Sequence, residues 1–523
     1  MSLAESHIGP FIGPRSMGRH WHFRAFAALT AGMAGGIAWA VAGAIPAWTP
    51  TSVAAMVLVT LSALWISGGA ATAILGLLQP RVRAAAIPES WRPQGRTAVL
   101  LTLCGEPADK VATALADLRR GLDRLGLADS VTIFVLSDTR DAARIAAEEA
   151  ALVELRASGA IRYRRRAVNT GRKPGNIADW LAADGTDFAY MLVLDADSKM
   201  SAPRVRSLIH RIEGQPRLGL LQAGMTLVPA QSRFGRYQRL SVRLLSPNFG
   251  RGMAAWSGDS GNYWGHNAIM RVAAFRDAAD LPVLSGPAPF GGAPLSHDFV
   301  EAAWIRRAGW SVSLDPEMAG SAEDGPQTLA EFHKRDRRWC QGNLQHLRLL
   351  AEPGLAPLSR LHFASGIMGY LAAPIWLALV VMIASGAVTV QGALPFALIA
   401  CVLLLPKLCA MGAAMARARR AARRRVILRA AVAEVVLSTL IAPLVMVRQT
   451  GAVASVLMGR DCGWKSGRAS RALPLGLPEA GAGLVLIAVT LLTGPVSALV
   501  WLMPIAAPLL AAPILVPALD AGA

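Results

Sequence analysis

Two aspartates one residue apart, Asp195-Ala-Asp197, close an apolar run from Phe188 to Leu194. Two carboxylates just past the end of a buried strand can jointly hold a hard divalent cation, Mg²⁺ or Mn²⁺, whose free positions then take diphosphate oxygens. The same pair also serves as a turn or a helix cap. Asp138 stands after the run Val131 to Leu136, where it could accept from a uracil or ribose donor or cap a loop. Arg172-Lys-Pro-Gly-Asn176 places cations, Lys173 among them, at a tight turn entering a helix. That suits a phosphate neighbour, or a solvated basic loop continuing Arg162 and Arg164 to Arg166.

Further along, Gly261-Asn-Tyr-Trp-Gly-His-Asn-Ala268 mixes aromatic, amide and imidazole groups in a loop that glycine permits. This composition suits a sugar-binding wall, with His266 and Asn267 facing the acceptor. Ser296-His-Asp298 precedes a helical stretch from Phe299 to Ala308. One positioned carboxylate is what an inverting glycosyl transfer needs, because it removes the proton of the attacking hydroxyl. Standing alone, Asp298 also reads as a helix N-cap and His297 as structural. In Arg335-Asp-Arg-Arg-Trp339-Cys-Gln-Gly-Asn343, guanidinium groups can hold a departing diphosphate and the indole of Trp339 can stack under a sugar ring. An Arg-rich helix beside a membrane is also an ordinary interfacial helix.

The elements that would position these groups lie between Arg81 and Leu361. Thr97 to Leu103 reads as a strand ending at Cys-Gly-Glu106, followed by a helix from Pro107 to Leu125. Val131 to Leu136, Ile161 to Arg165 and Phe188 to Leu194 read as three more strands. Strands separated by helices predict a mainly parallel, doubly wound α/β sheet. Ligands of such sheets bind beyond the carboxyl ends of the strands, where Glu106, Asp138, Asp195 and Asp197 stand.

The rest of the chain is apolar. Of 523 residues 53% are hydrophobic and 17% charged, with mean hydropathy +0.40, which excludes a disordered chain, a collagen-like repeat and an ordinary soluble enzyme. The formal charge of +19 raises a nucleic-acid partner, but the excess flanks apolar segments. Outside residues 81–361 there are five acidic residues against sixteen basic ones, so no nucleic acid is expected. Five scattered cysteines indicate neither a disulfide framework nor a zinc site.

Residues 25–80 contain no ionisable side chain and are broken at Ile45-Pro-Ala-Trp-Thr-Pro50, which predicts two membrane spans. Two further candidate hairpins occupy 362–413 and 480–519. The segment 426–459 is apolar but carries Arg429, Glu434 and Arg448, and is expected to be a broken or re-entrant hairpin turning near Pro443. This gives eight crossings, or seven if 426–459 crosses once. By the positive-inside rule the amino terminus (1–24), the catalytic region (81–361), the basic loop 414–425 and the interfacial loop 460–479 face the cytoplasm of a bacterial inner membrane. Arg417 to Arg425 read as an anchor against anionic membrane lipid.

In order, Glu106, Asp138, Lys173, Asp195-Ala-Asp197, Ser296-His-Asp298 and Arg335-x-x-Arg338-Trp339 resemble the processive family-2 glycosyltransferases, the group that includes cellulose and hyaluronan synthases. Within that group the chain is similar to the glucans biosynthesis glucosyltransferase H family. The resemblance rests on Phe134-Val-Leu-Ser-Asp138, Asn262-Tyr-Trp-Gly-His-Asn-Ala-Ile269, His297-Asp-Phe-Val-Glu-Ala302 and the Arg335 to Asn343 box. It implies a helical transmembrane bundle carrying a cytoplasmic α/β domain of GT-A type, the nucleotide-diphospho-sugar transferase fold. It further implies polymerisation of glucose from UDP-glucose into the β-1,2-linked backbone of osmoregulated periplasmic glucans, coupled to export.

Carried over by the resemblance, Asp138 would bind uridine, Asp195 and Asp197 the metal and diphosphate, and Asp298 would be the base. Arg338 would face the leaving group and Trp339 the acceptor sugar; Glu106 and Lys173 would complete the donor site. The growing glucan, an acyl carrier protein and a periplasmic glucan-processing protein are the implied partners. Cellulose synthases have Thr-Glu-Asp and an initial Gln where this chain has Ser296-His-Asp298 and Arg335, which argues against cellulose as product. A loop with Trp464, between Arg460 and Arg471, would gate the site or merely anchor it. The rival readings are another processive β-glycan synthase, a polyprenyl-phosphate glycosyltransferase and a transporter. The spans' lack of ionisable groups disfavours the last.

Overall fold

A computed structural model describes residues 20–80, 87–278, 280–462 and 476–522. Arg81, Arg83, Trp464 and most of the Arg460 to Arg471 loop lie outside the described residues.

Seven strands form the main sheet: β1 (Thr97–Leu103), β2 (Val131–Ser137), β3 (Arg162–Arg165), β4 (Tyr190–Asp195), β6 (Leu218–Ala223), β8 (Ala268–Arg271) and β9 (Ser311–Asp315). A small second sheet joins β5 (Lys199–Met200), β7 (Thr226–Leu227) and β10 (Ser321–Glu323). The main order is β3-β2-β1-β4-β8-β6-β9. β1, β2 and β4 are apolar almost throughout because both faces are covered, and they pair in parallel, with Val99 opposite Ile133 on one side and Leu192 on the other. Helices Ala108–Arg124 and Ala202–Glu213 cover one face, where Leu115, Leu122, Ile133 and Ile209 pack. Helices Arg172–Ala183 and His297–Arg307 cover the other, around Phe134, Trp180 and Trp304.

The expected four strands are present, and the sheet is mainly parallel as their alternation with helices requires. One strand departs from that rule. β8 runs antiparallel to both β4 and β6. The loop before β8 is thereby returned to the same sheet edge as Asp195, so Gly265 and His266 meet the Asp195-Ala-Asp197 turn.

Two amphipathic helices, Arg233–Ser257 and Leu329–Gln345, join the catalytic domain to the apolar helices. The first lies against the span Pro50–Leu78 with backbones nearly touching. A Cβ on Gly252 would stand 1.8 Å from the Thr72 carbonyl oxygen, and one on Gly76 2.0 Å from that of Asn248, so only glycine fits at either point. The close approach lets Asn248 donate to the Ala73 carbonyl at 2.8 Å and Trp256 to the Thr72 hydroxyl at 3.1 Å.

Trp21–Ala44, Pro50–Leu78, Pro357–Ala384 and Leu394–Met415 are each long and apolar enough to cross a membrane, as is Ala421–Leu457. Leu477–Thr493 is a shorter apolar helix, and Ala498–Leu510 with Ala512–Asp520 form an apolar pair bent by 57°, as in a broken span or a re-entrant loop. The expected hairpin at Pro443 is corrected: Ala421–Leu457 is one helix of 37 residues with Pro443 inside it. Packing overrides the missing N–H there, because the flanking Ile441 and Leu444 are buried against Phe234, Leu329 and Leu509.

This long helix packs both on the apolar helices, Pro357–Ala384 and Ala498–Leu510 foremost, and on the two amphipathic helices of the catalytic side. Ser241 of the first amphipathic helix faces Glu434 at 3.4 Å, Gln449 donates to Asp336 at 3.1 Å, and Arg337 donates to Ser455 at 3.3 Å. From 434 to 455 the helix rises about 30 Å. At both ends of that stretch it touches the amphipathic helices of the catalytic side.

Candidate active site

The donor end is built where β1, β2 and β4 stop. Asp195 closes β4 and is partly open to the cleft. It accepts from the Thr102 hydroxyl at 3.2 Å and forms a tight ion pair with Lys173, at the start of helix Arg172–Ala183. Lys173 also donates to the carbonyl of Gly265 at 2.6 Å. Burial pushes the Asp195 carboxyl up, but the Lys173 ammonium and the His266 imidazole outweigh it and hold the group below the usual carboxylate range.

For Asp197 the balance falls the other way. Burial, then Asp195 alongside it, push its carboxyl up; His266 opposes them but Glu323 and Asp324 add to the rise, which reaches about 6. This accumulated negative charge is what a divalent cation would neutralise. Among the described residues no three His, Cys, Asp or Glu side chains converge as a complete cation cage. The protein would therefore supply Asp195 and Asp197 and leave the other positions to phosphate and water, a donor set that fits Mg²⁺ or Mn²⁺.

Asp138 is buried at the end of β2, and its two oxygens accept from Arg166 Nε at 2.8 Å and Nη2 at 2.9 Å. Arg166 was not singled out from the sequence, where it is one of several arginines in a basic run. A nucleobase would meet Asp138 as half of an ion pair, with a lone pair on each oxygen still open. Beside it lies a cavity of about 340 Å³ lined by Thr139, Arg140, Arg165, Ala167 and Val168. Glu106 turns back onto its own strand end, where it accepts from the Cys104 N–H at 2.5 Å.

A second cavity of about 530 Å³ leads from this edge towards the apolar helices, and Asp298, His266, Glu323, Trp264, Trp339 and Tyr370 are among the residues lining it. His266 is held between Ser198 (3.4 Å from Nδ1) and Glu323 (3.2 Å from Nε2). Burial alone would lower its pKa, yet Glu323 and Asp195 raise it. Trp339 is 45% exposed; the guanidinium of Arg335 sits 4.5 Å from its ring centroid, and the side chain also borders the cavity.

Asp298 starts the helix His297–Arg307 beside Gly265, whose Cβ, were there one, would stand 3.6 Å from Oδ2. Burial raises the Asp298 carboxyl; His297 pulls it down and Glu301 pushes it up. His297 is itself paired with the buried Glu301 at 3.0 Å, an interaction that keeps its pKa raised against the opposing effect of burial.

One expectation is corrected. Asn267 does not face a sugar: it is fully buried with φ +51°, donates to Ser321 at 3.0 Å, and its carbonyl accepts from the Ala223 N–H. It ties the loop to the small sheet. Tyr263 of the same loop is core, packed with Val300 and Trp304. From the helix Leu329–Gln345, Trp339 and Asn343 line the cavity wall. Glu323 and Tyr370 line the same cavity, a placement that only the fold reveals.

The model of glycosyl transferase family group 2 matches residues 190–415. A glucans biosynthesis glucosyltransferase H from Cereibacter sphaeroides is 38% identical over 88% of this chain and 83% of its own length. Its namesake from Vibrio cholerae is 38% identical over 80% of this chain and 62% of its own length. Among solved structures, a mannosyltransferase of Pyrobaculum calidifontis in complex with GDP-Man and Mn²⁺ aligns with a TM-score of 0.45 at 14% identity, covering 77% of this chain and 98% of that one. With most of a full-length relative matched at this identity, the chain belongs to the glucans biosynthesis glucosyltransferase H family and is an inverting glycosyltransferase of the membrane.

Proposed function

We propose that this enzyme transfers glucosyl units from UDP-glucose to a growing β-1,2-linked glucan, the backbone of periplasmic glucans. The observation that carries the reading is one cavity wall that holds two carboxylates, Asp298 and the His266-paired Glu323, an aromatic platform, Trp339, and His266 next to the Asp195 edge. The bond from acceptor oxygen to C1 forms as the bond from C1 to the diphosphate breaks; UDP leaves with the electron pair and Asp298 takes the acceptor's proton. Lys173 sits where it can face the diphosphate, and Asp195 and Asp197 would hold a divalent cation. When bound, that ion offsets the charge on the leaving diphosphate. The Asp138–Arg166 pair borders the nucleoside.

In this reading six segments cross an inner membrane: the four long spans, Leu477–Thr493 and the bent pair. The catalytic domain and both ends of the long helix face the cytoplasm, consistent with the basic residues there, and the cavity continues to Tyr370 of a span, on the way out for the product. Acyl carrier protein and a periplasmic glucan-processing protein are the partners to seek by co-purification. The test is incorporation of labelled sugar by the purified protein in liposomes with Mg²⁺, comparing UDP-glucose, UDP-GlcNAc and UDP-galactose, followed by linkage analysis. A polymer made from UDP-glucose alone with 1,2 linkages supports the reading. A product from another donor, or a chloroform-soluble single-sugar product, overturns it.

A further inference from the structure

The start of the long helix carries the densest unpaired charge among the described residues. Arg419, Arg420, Arg423, Arg424, Arg425 and Arg429 are all exposed. Among the described residues none of the six has a carboxylate within 4 Å, and the sequence holds no acidic residue at all between Glu352 and Glu434. Glu434 itself is buried and taken by Lys407 of the preceding span at 2.7 Å. Among the described residues the one side-chain hydrogen bond of this group, from Arg424 to the Ala418 carbonyl at 3.0 Å, brings no negative charge. These cations therefore await an anion from outside the chain.

Apolar side chains are exposed next to them: Val426 (64%), then Leu428, Val432 and Val436 at four-residue spacing along one face. The span Leu394–Met415 ends a few residues earlier, which fixes the patch at the level where the chain leaves the apolar layer. Arginines beside a stripe of exposed aliphatic residues, at that level, match a surface whose headgroups are negative and whose interior is hydrocarbon. An acidic protein would match the charge but not the stripe.

The other end of the same helix bears on the site. Ser455 and Gln449 bond Arg337 and Asp336, and Val453 and Val456 pack with Cys340, Leu344 and Tyr370. The chain just beyond holds Gln341, which donates to Asp461 at 2.8 Å and accepts from the Cys462 N–H at 2.8 Å. These partners flank Trp339 on its own helix. We propose that anionic phospholipid headgroups dock on the Arg419–Arg429 patch and, by fixing the long helix, hold the Trp339 helix in its working position.

The test uses the full-length protein and its triple variant R423E/R424E/R425E. Melting temperature in neutral detergent is followed with added phosphatidylglycerol, phosphatidylcholine or inorganic phosphate, and UDP release is followed in nanodiscs with and without phosphatidylglycerol. Phosphatidylglycerol alone is expected to raise the melting temperature of the wild type and to increase its UDP release about fivefold or more, with both responses lost in the variant. If the triple variant does not fold, R423Q/R424Q/R425Q replaces it with the same expectation. Equal melting temperatures in the two lipids, stabilisation by free phosphate as strong as by the lipid, or a variant that keeps the full lipid response would overturn the proposal. The melting readout needs no sugar donor, so a wrong donor assignment cannot be mistaken for failure here.

Discussion

Lys173 and Asp298 stand on either side of one glycine: Lys173 donates to the Gly265 carbonyl at 2.6 Å, and Asp298 Oδ2 lies 3.6 Å from where a Gly265 side chain would begin. The cation of the donor end and the carboxylate of the acceptor end are thereby set a short distance apart by the backbone of a single residue. That residue has φ +88°, the left-handed region in which a side chain is strained.

Gly265→Ala therefore disturbs both ends at once. Backbone strain of about 1–3 kcal/mol is expected, and relief by shifting the loop would move the carbonyl from Lys173. The expected result is a lower melting temperature together with at least a tenfold fall in kcat, measured by UDP release. Full activity in this variant would show that the two ends are positioned independently.

Lys173→Ala removes the cation that compensates Asp195. The carboxyl of Asp195 then rises, because burial is left opposed chiefly by His266. Donor binding should weaken, seen as a KM for UDP-glucose raised about tenfold, the scale of one charge-assisted contact. An unchanged KM with reduced kcat would place Lys173 outside the donor site.

The pH dependence turns on His297. Asp298 works as a base only when ionised; burial raises its pKa, the imidazolium of His297 lowers it and Glu301 raises it. Lys173 also acts on His297, lowering its pKa. In His297→Gln the lowering influence is gone while burial and Glu301 remain, so the acid limb of kcat moves to higher pH. The variant should be most impaired near pH 6 and recover towards pH 8. A loss of equal proportion at every pH would make His297 a packing residue only.

Asn267 offers a check on its reassignment from sugar contact to structure. Asn267→Ala loses a buried hydrogen bond to Ser321 and puts a less tolerant residue at φ +51°. Destabilisation of about 1–3 kcal/mol is expected in chemical unfolding, with the apparent affinity for glucan acceptor unchanged in the folded fraction. A selective rise in acceptor KM without loss of stability would return Asn267 to the site.

What could be read from the sequence follows its local physics. The strands at Thr97–Leu103 and at the approach to Asp195 announce themselves as apolar runs buried on both faces, and the chemistry-bearing residues follow directly after them. β8 offers only four residues, Ala268–Arg271, and nothing in four residues reveals that they pair antiparallel between β4 and β6. The two-residue strands β5 and β7 are defined by partners distant in the chain, so Glu323 could not be placed beside His266. Arg166 meets Asp138 across 28 residues, a pairing that charge alone does not select from the neighbouring Arg162, Arg164 and Arg165. In the long helix Pro443 suggested a turn, but burial of its neighbours against Phe234 and Leu329 keeps the helix continuous.

The most direct test of the proposed mechanism is Asp298→Asn, assayed for glucan formation and, separately, for UDP binding by calorimetry. The neutral amide keeps the size of the side chain but cannot take the acceptor's proton, so polymer formation should fall about 100- to 10,000-fold with the UDP dissociation constant nearly unchanged. An Asp298→Asn enzyme that still polymerises at the wild-type rate would contradict the assignment of the base and with it the mechanism built on it.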